Sequence, residues 1–284
     1  MEVWKQIFAP IILSLFYPDD SWLNELTSMD HMVDNNTINL ADCGADPEVV
    51  EDNSTWPLVP VQREDGNIAI PLSTFDTKPT HITNVEELET AYNKQESVAR
   101  QHTNSLRKKA SVSSAFNIAP KSNTVTTPVL KTTGADRGDG TKALRYEDIT
   151  ELSLKFNEGD LPQEGRVLLL CPKHQADLKN ADIKLYKAML VDGKIDGFKI
   201  YMYTQTPKYD AATGQKQPYG AATGQESSVA FIGSEVMRSM GDITGGPEER
   251  WADYRGVLIG FQMRFVALPF RKFGIGAIYS DKVA

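Results

Sequence analysis

Between Thr37 and Thr83 apolar and polar residues alternate, with Ile38 and Leu40 first, then Val59 and Val61, then Ile68, Ile70 and Leu72. Such alternation predicts strands with one apolar and one wet face. Asp65-Gly66 is a strong turn signal, so Arg63–Asn67 is expected to form the tip of a long two-stranded ribbon. An isolated ribbon is marginally stable, so this one is expected to lie against another surface. At Val85 the period changes. Val85, Leu88, Tyr92, Ala99, His102, Leu106, Val112 and Phe116 mostly follow three- or four-residue steps, which predicts one helix with a narrow apolar seam. At 1.5 Å per residue it would be about 45–50 Å long. Glu86, Glu87 and Glu89 come early in it, and Arg100, Arg107, Lys108 and Lys109 come late. That order suits the helix macrodipole. The basic cluster reads either as a solvated helix end or as a contact to phosphate or an acidic neighbour.

Ahead of the ribbon, Trp4–Leu15 and Ser21–Met29 read as short helical pieces, the second capped by Asp20 or Ser21. Their apolar side chains are expected to dock on the body or on another subunit. Beyond the long helix, Pro128-Val129-Leu130 reads as an edge strand and Gly134–Gly140 as a flexible loop. From Tyr146 the texture is that of an α/β unit. Tyr146–Phe156 is a short helix, Arg166–Cys171 a buried strand, His174–Leu178 and Ile183–Leu190 helical turns, and Phe198, Ile200 and Met202 an alternating strand. Between Pro207 and Ser227 the string Ala-Ala-Thr-Gly-Gln occurs twice, at 211–215 and 221–225, and predicts an exposed insertion. Val229–Ile232 is a buried strand and Glu235–Met240 a short helix. Gly256–Phe270 is a long strand interrupted by Gln262 and Arg264, and Phe273–Tyr279 is a further strand.

The 284 residues are 40% hydrophobic and 24% charged, ordinary for a folded protein. A formal net charge of -8 argues against a nucleic-acid binder that relies on bulk positive charge. Cys43 and Cys171 form no C-x-x-C pattern, so neither a disulfide framework nor a structural zinc site is expected, and a reducing site of synthesis fits best. Ile7–Phe16 is too short to span a bilayer and is broken by Pro10; no membrane partner is expected.

Candidate chemistry is sparse. The chain contains no P-loop and no nucleophile elbow, and Gly274-Ile275-Gly276 lacks the third glycine of a dinucleotide site. His31, His81, His102 and His174 are scattered without metal-ligand spacing. Asp136 and Asp139 match no calcium loop and read as a solvated turn. His174 with Asp177 could serve as a general base and its orienter, but a histidine at a helix start is more often structural. The reading is therefore not an enzyme: no catalytic, cofactor-binding or metal-binding residue is assigned.

Several strings, taken in order, resemble HK97-fold major capsid proteins of tailed bacteriophages, in particular coat proteins of phages infecting Bacteroidetes. They are 44–49 (Gly-Ala-Asp-Pro-Glu-Val), 72–77 (Leu-Ser-Thr-Phe-Asp-Thr) with Pro79-Thr80, and 94–98 (Lys-Gln-Glu-Ser-Val) with His102. Further on come Arg166–Pro172 with His174 and Leu178, Gly193-Lys194-Ile195, and 197–201 (Gly-Phe-Lys-Ile-Tyr). The resemblance runs from about residue 36 onward. It implies an α+β, HK97-like capsid fold with an N-terminal arm at 1–36 and an extended β-ribbon loop at 37–83. The peripheral domain would occupy 84–143 with a spine helix at 84–119, the axial domain 144–254, and strands at 255–284 would return to the peripheral domain. The implied function is self-assembly, through pentamers and hexamers, into an icosahedral shell enclosing double-stranded DNA. An encapsulin-like compartment of the same fold, or a hydrolase using His174, are the alternatives. Expected partners are other copies of the chain, a scaffolding protein, a portal and decoration proteins; the expected location is the virion capsid, after synthesis in the bacterial cytoplasm. Inter-subunit contact is expected at Val59, Val61, Ile68, Ile70, Leu72 and Phe75, and proximity to DNA at Arg100, Arg107, Lys108 and Lys109. Some members cross-link subunits through a lysine and an asparagine; Lys78 lies near the ribbon base, but no motif places an asparagine beside it, so no cross-link is expected.

Overall fold

Strand-forming alternation becomes three sheets in the computed structural model, which describes residues 15–18, 21–34, 36–42, 66–83, 94–250 and 255–283. In chain order the strands and helices are β1 (Thr27–Ser28), β2 (Val33–Asp34), β3 (Thr37–Asp42), β4 (Gly66–Pro71), β5 (Ser73–Asp76), β6 (Thr80–Thr83), α1 (Lys94–Ile118), β7 (Val129–Lys131), α2 (Tyr146–Glu158), β8 (Arg166–Leu170), α3 (Pro172–Ala181), α4 (Ile183–Asp192), β9 (Lys194–Ile195), β10 (Phe198–Met202), β11 (Lys208–Tyr209), β12 (Gln225–Ile232), β13 (Val236–Arg250), β14 (Gly256–Pro269) and β15 (Ile275–Tyr279).

A seven-stranded mixed sheet runs in the order β7-β15-β12-β8-β10-β9, with β11 on β12. Its central strands β8 and β12 carry unbroken apolar runs, Val167–Leu170 and Val229–Ile232, because both faces are covered there. Val167, Leu169, Val229 and Phe231 point into one core with α1, Trp22 and Leu23. The alternate residues Leu168, Leu170, Ala230 and Ile232 point the other way, onto Ile149, Leu152 and Phe156 of α2, Leu178 of α3 and Tyr186 and Met189 of α4. The five-stranded sheet is ordered β1-β13-β14-β5, with β6 also on β14. On β14, Ile259, Phe261, Met263 and Phe265 are buried beneath α1. Gln262 and Arg264 take the outward positions between them, and the Gln262 amide donates to Asp76 at 2.7 Å. The two polar residues that interrupt the pattern are therefore the far face of one strand.

Two sequence expectations change. Glu235–Met240 is not a helix: a 3₁₀ turn at Gly233–Glu235 leads into β13. Val236 and Met237 are fully buried and pair with Pro269 and Leu268 of β14, so long-range pairing overrides a short local preference. Ser21–Met29 is a 3₁₀ turn, Trp22–Glu25, followed by β1; Ser21 caps the turn, its hydroxyl accepting from Leu23 N at 3.4 Å. Trp22, Leu23 and Leu26 dock on the chain's own core. Its neighbour Trp4–Leu15 lies outside the described residues except for Leu15. Strand β4 pairs with β3, placing Ile70 opposite Ile38. Ile38 and Ile70 pack against Met237 and Val266; the other arm of the expected hairpin, Val59 and Val61 with the turn up to Asp65, lies outside the described residues.

The helix α1 covers Lys94–Ile118, 25 residues, about 37 Å at 1.5 Å per residue. Residues 84–93 lie outside the description. Its buried stripe runs through Val98, Ala99, His102, Leu106, Ala110, Ser114 and Ile118. Small residues in this stripe let the helix lie close to β14. Val112 and Phe116, expected on the seam, are only half-buried.

Candidate assembly surfaces

His174 begins a short buried chain of hydrogen bonds rather than an open site. Its Nδ1 lies 2.7 Å from Ser228 Oγ and its Nε2 lies 3.0 Å from Ser280 Oγ. The ring is fully buried. Asp177 does not orient it. Instead the Asp177 carboxylate accepts from Arg137 Nε at 2.8 Å, from Arg137 Nη2 at 2.5 Å and from Leu144 N at 2.9 Å. A base that satisfies both its nitrogens internally and reaches no solvent has nothing to act on. Burial pushes the imidazole down to about 3 from its ordinary 6.5. An unfolded chain takes up a proton near 6.5 that the folded chain refuses until near 3, so stability rises with pH across that window. As pH falls from 6.5 toward 3, His174 alone is expected to cost about 1.4 kcal/mol per unit. Urea unfolding from pH 7 to pH 4 checks this: H174Q should show a shallower pH slope than the parent, and equal slopes would contradict it.

Beside this network the 134–140 loop is held rather than loose. Arg137 anchors it on Asp177, and the backbone of Asp136 forms an antiparallel β-bridge with that of Lys142. Asp136 accepts from Gly138 N at 2.8 Å and Asp139 from Thr141 N at 3.0 Å, the pattern of Asx turns. The Thr141 hydroxyl holds the Asp139 carboxyl down at about 2. No group of three metal-ligating side chains occurs among the described residues.

The insertion at 207–227 is also anchored. Tyr209 is fully buried, stacked on Tyr279 with ring centroids 5.7 Å apart, and its hydroxyl donates to Pro120 O at 2.6 Å. Lys216 Nζ donates to Phe116 O at 2.7 Å and to Ala119 O at 2.6 Å. These are carbonyls left unpaired where α1 ends. Burial lowers the Lys216 amine to about 8. The repeat itself is largely exposed, as expected of an insertion, while Lys216 and Tyr209 tie its base to the end of α1.

The expected contact residues are dispersed. Val59 and Val61 lie outside the described residues, as does the side chain of Ile68. Leu72 is only 8% exposed, covered by Met237 and Val266 of its own chain. Ile70 and Phe75 are half-buried against the chain's own cores. The four basic residues of α1 do not converge either. At about 100° per residue, Lys109 points roughly opposite to Arg100. Arg100 pairs with Glu96 at 2.7 Å, Arg107 Nη1 donates to Leu15 O at 3.2 Å, and Lys109 Nζ sits 5.3 Å from the Tyr219 ring centroid. Lys108 is exposed.

An apolar surface absent from the expected set lies on α4. Tyr186 and Met189 face the sheet, while Ile183 is 52%, Leu190 55% and Val191 86% exposed. The helix carries more apolar residues than one buried stripe can use, but which of them stay exposed is decided by the packing of Tyr186 and Met189 on the sheet.

No protein-family model matches the chain, and no curated protein matches it. Solved structures do. A capsid structure of the cyanophage P-SCSP1u is 18% identical, with a TM-score of 0.66 over 90% of this chain and 86% of that one. The capsid of a native GTA particle is 9% identical, with a TM-score of 0.68 over 93% and 90%. A virus-like particle from Pyrococcus furiosus is 13% identical, with a TM-score of 0.59 over 98% and 100%. These likenesses establish the fold: the α+β chain has the HK97-like capsid fold.

Proposed function

We propose that this chain of HK97-like fold is the major capsid protein of a tailed phage, self-assembling into the icosahedral shell around double-stranded DNA. The observation that carries the reading is the likeness to the cyanophage capsid over 90% of this chain and 86% of that one. In this reading, 37–83 is the extended loop, 84–119 the spine helix within a peripheral domain at 84–143, and 144–254 the axial domain, with 255–284 returning to the peripheral domain. Residues 1–36 are the arm. The role is structural and non-enzymatic, located in the virion capsid after synthesis in the host cytoplasm. Pentamers and hexamers of the chain would be joined by scaffolding, portal and decoration proteins. Arg100, Arg107, Lys108 and Lys109, spread around α1, suit diffuse counterion contacts with DNA rather than a binding site. No helix among the described residues is long and apolar enough to cross a membrane.

Negative-stain microscopy of the expressed protein, alone and with its scaffolding protein, tests the proposal. Closed shells or capsomer rings are the expected result; monodisperse monomers under every condition would defeat it. The likeness to the Pyrococcus furiosus particle, complete over that chain, favours a second reading as an encapsulin-like compartment. Particle contents separate the two: packaged DNA with a portal vertex in one case, protein cargo in a sealed shell in the other.

A further inference from the structure

We propose that the outward face of α4 docks on the outward face of α2 in a second copy of this chain. Both helices lie on the same side of the seven-stranded sheet and share one core beneath them, so both outward faces are free of that core. On α4, Tyr186 and Met189 are buried. The opposite side carries Ile183, Lys184, Lys187, Leu190 and Val191, all exposed. Counted at about 100° per residue, these five fall within roughly a third of the helix circumference. The combination is an apolar stripe flanked by cations, and neither Lys184 nor Lys187 has a carboxylate partner among the described residues.

The outward face of α2 is its counterpart in charge. Glu147, Glu151, Leu154 and Glu158 follow steps of four, three and four residues and are all exposed, with Leu154 52% exposed. Glu147 and Glu158 are tied only to exposed or half-exposed neighbours on their own helix or its cap, Arg145 at 3.0 Å and Lys155 at 2.8 Å. Such surface pairs contribute little and exchange readily. One face therefore offers lysines around apolar side chains, and the other offers glutamates around a leucine. Opposed, they bury apolar surface at the centre and match charge at the rim, the usual anatomy of a specific interface. The complementarity lies between two patches of the same sequence, so the partner it selects is another copy. An exposed apolar patch rimmed by charge is otherwise a solubility liability.

The inference rests on the shell reading for its biological meaning, but its test is separate. Three variants are needed: K184E/K187E, E147K/E151K, and the combination of all four changes. Circular dichroism and thermal melting establish that each remains folded, as expected for exposed positions. Each double variant is expected to reduce particle yield, measured by sedimentation, at least tenfold. The quadruple variant, with the charges exchanged, is expected to recover most of it. Mixing the two double variants should also restore assembly, because each then supplies the charge the other lacks. Folded double variants that assemble like the parent would overturn the pairing, as would a folded quadruple variant that stays dispersed. Should the parent form no particles even with its scaffolding protein, the shell reading fails. The pairing is then read from small oligomers at high concentration, and monomers throughout would overturn it too.

Discussion

Replacing Asp177 with alanine is expected to lower the free energy of unfolding by about 3–5 kcal/mol, the range for breaking a buried ion pair by removing one partner. The carboxylate is almost fully enclosed, its side chain 4% exposed, and it serves three donors: two from Arg137 and the amide of Leu144. Deleting it leaves a partly buried guanidinium with only the more exposed Asp139 carboxylate, 3.6 Å away, as a counter-charge and a buried amide without an acceptor. The Arg137 guanidinium, whose proton the Asp177 carboxylate holds more firmly than usual, also donates to Thr141 Oγ1 at 2.7 Å. The loss would therefore spread into the 134–143 loop. Denaturant unfolding of D177A against the parent measures the effect. The double variant R137M/D177L should recover most of the loss, because a buried pair replaced by well-packed apolar groups is often neutral. An unchanged midpoint in D177A would show that the pair is solvated and dispensable.

Substituting Gly233 with alanine is expected to cost about 3 kcal/mol, the upper end of overpacking penalties. A Cβ at 233 would lie 2.2 Å from the Glu25 carbonyl oxygen. That atom belongs to backbone, so no rotamer change relieves the clash. The segment must lift away, and with it go the Thr27 hydroxyl bond to Gly233 O at 3.0 Å and the packing of Trp22, Leu23 and Leu26. Thermal unfolding should show a lower midpoint. Limited proteolysis should cut within 15–34 faster than in the parent, and an unchanged cleavage pattern would contradict the lock described here.

Where one residue's environment is fixed by its neighbours in sequence, the fold was legible. The run Arg166–Cys171 reads as a doubly covered strand because every side chain in it is apolar or tied down. Alternation through Phe261, Met263 and Phe265 marks β14 despite its two polar residues. Strand β13 was not legible. Gly241, Gly245, Gly246 and Pro247 are all breakers in isolation, and only pairing with β14 extends them. At Gly245, with φ +111°, an added Cβ would meet Gly260 O at 2.3 Å, so the two strands approach where only glycine fits. Sequence alone could not supply that proximity. The surface was harder still. Apolar residues on Ile183–Leu190 look like core by composition, and burial had to be seen before Ile183, Leu190 and Val191 could be recognised as exposed. Lys216 and Tyr209 read as loop residues because their partners, the carbonyls of 116–120, lie some ninety to a hundred residues earlier.

The order in which the sheets close has a bearing on synthesis. Strand β1, among the first elements made, pairs with Met237 and Arg238 of β13. Strand β15, made after every other strand described, sits between β7 and β12 inside the seven-stranded sheet. Until Ile275–Tyr279 leaves the ribosome, β12 and β7 each expose an open edge, and the core beneath them stays wet. Contacts so distant along the chain form slowly and late. A nascent or interrupted chain thus lacks the finished layer on which α2 and α4 are mounted, and subunits broken off during translation are kept out of any lattice that needs both helices in place.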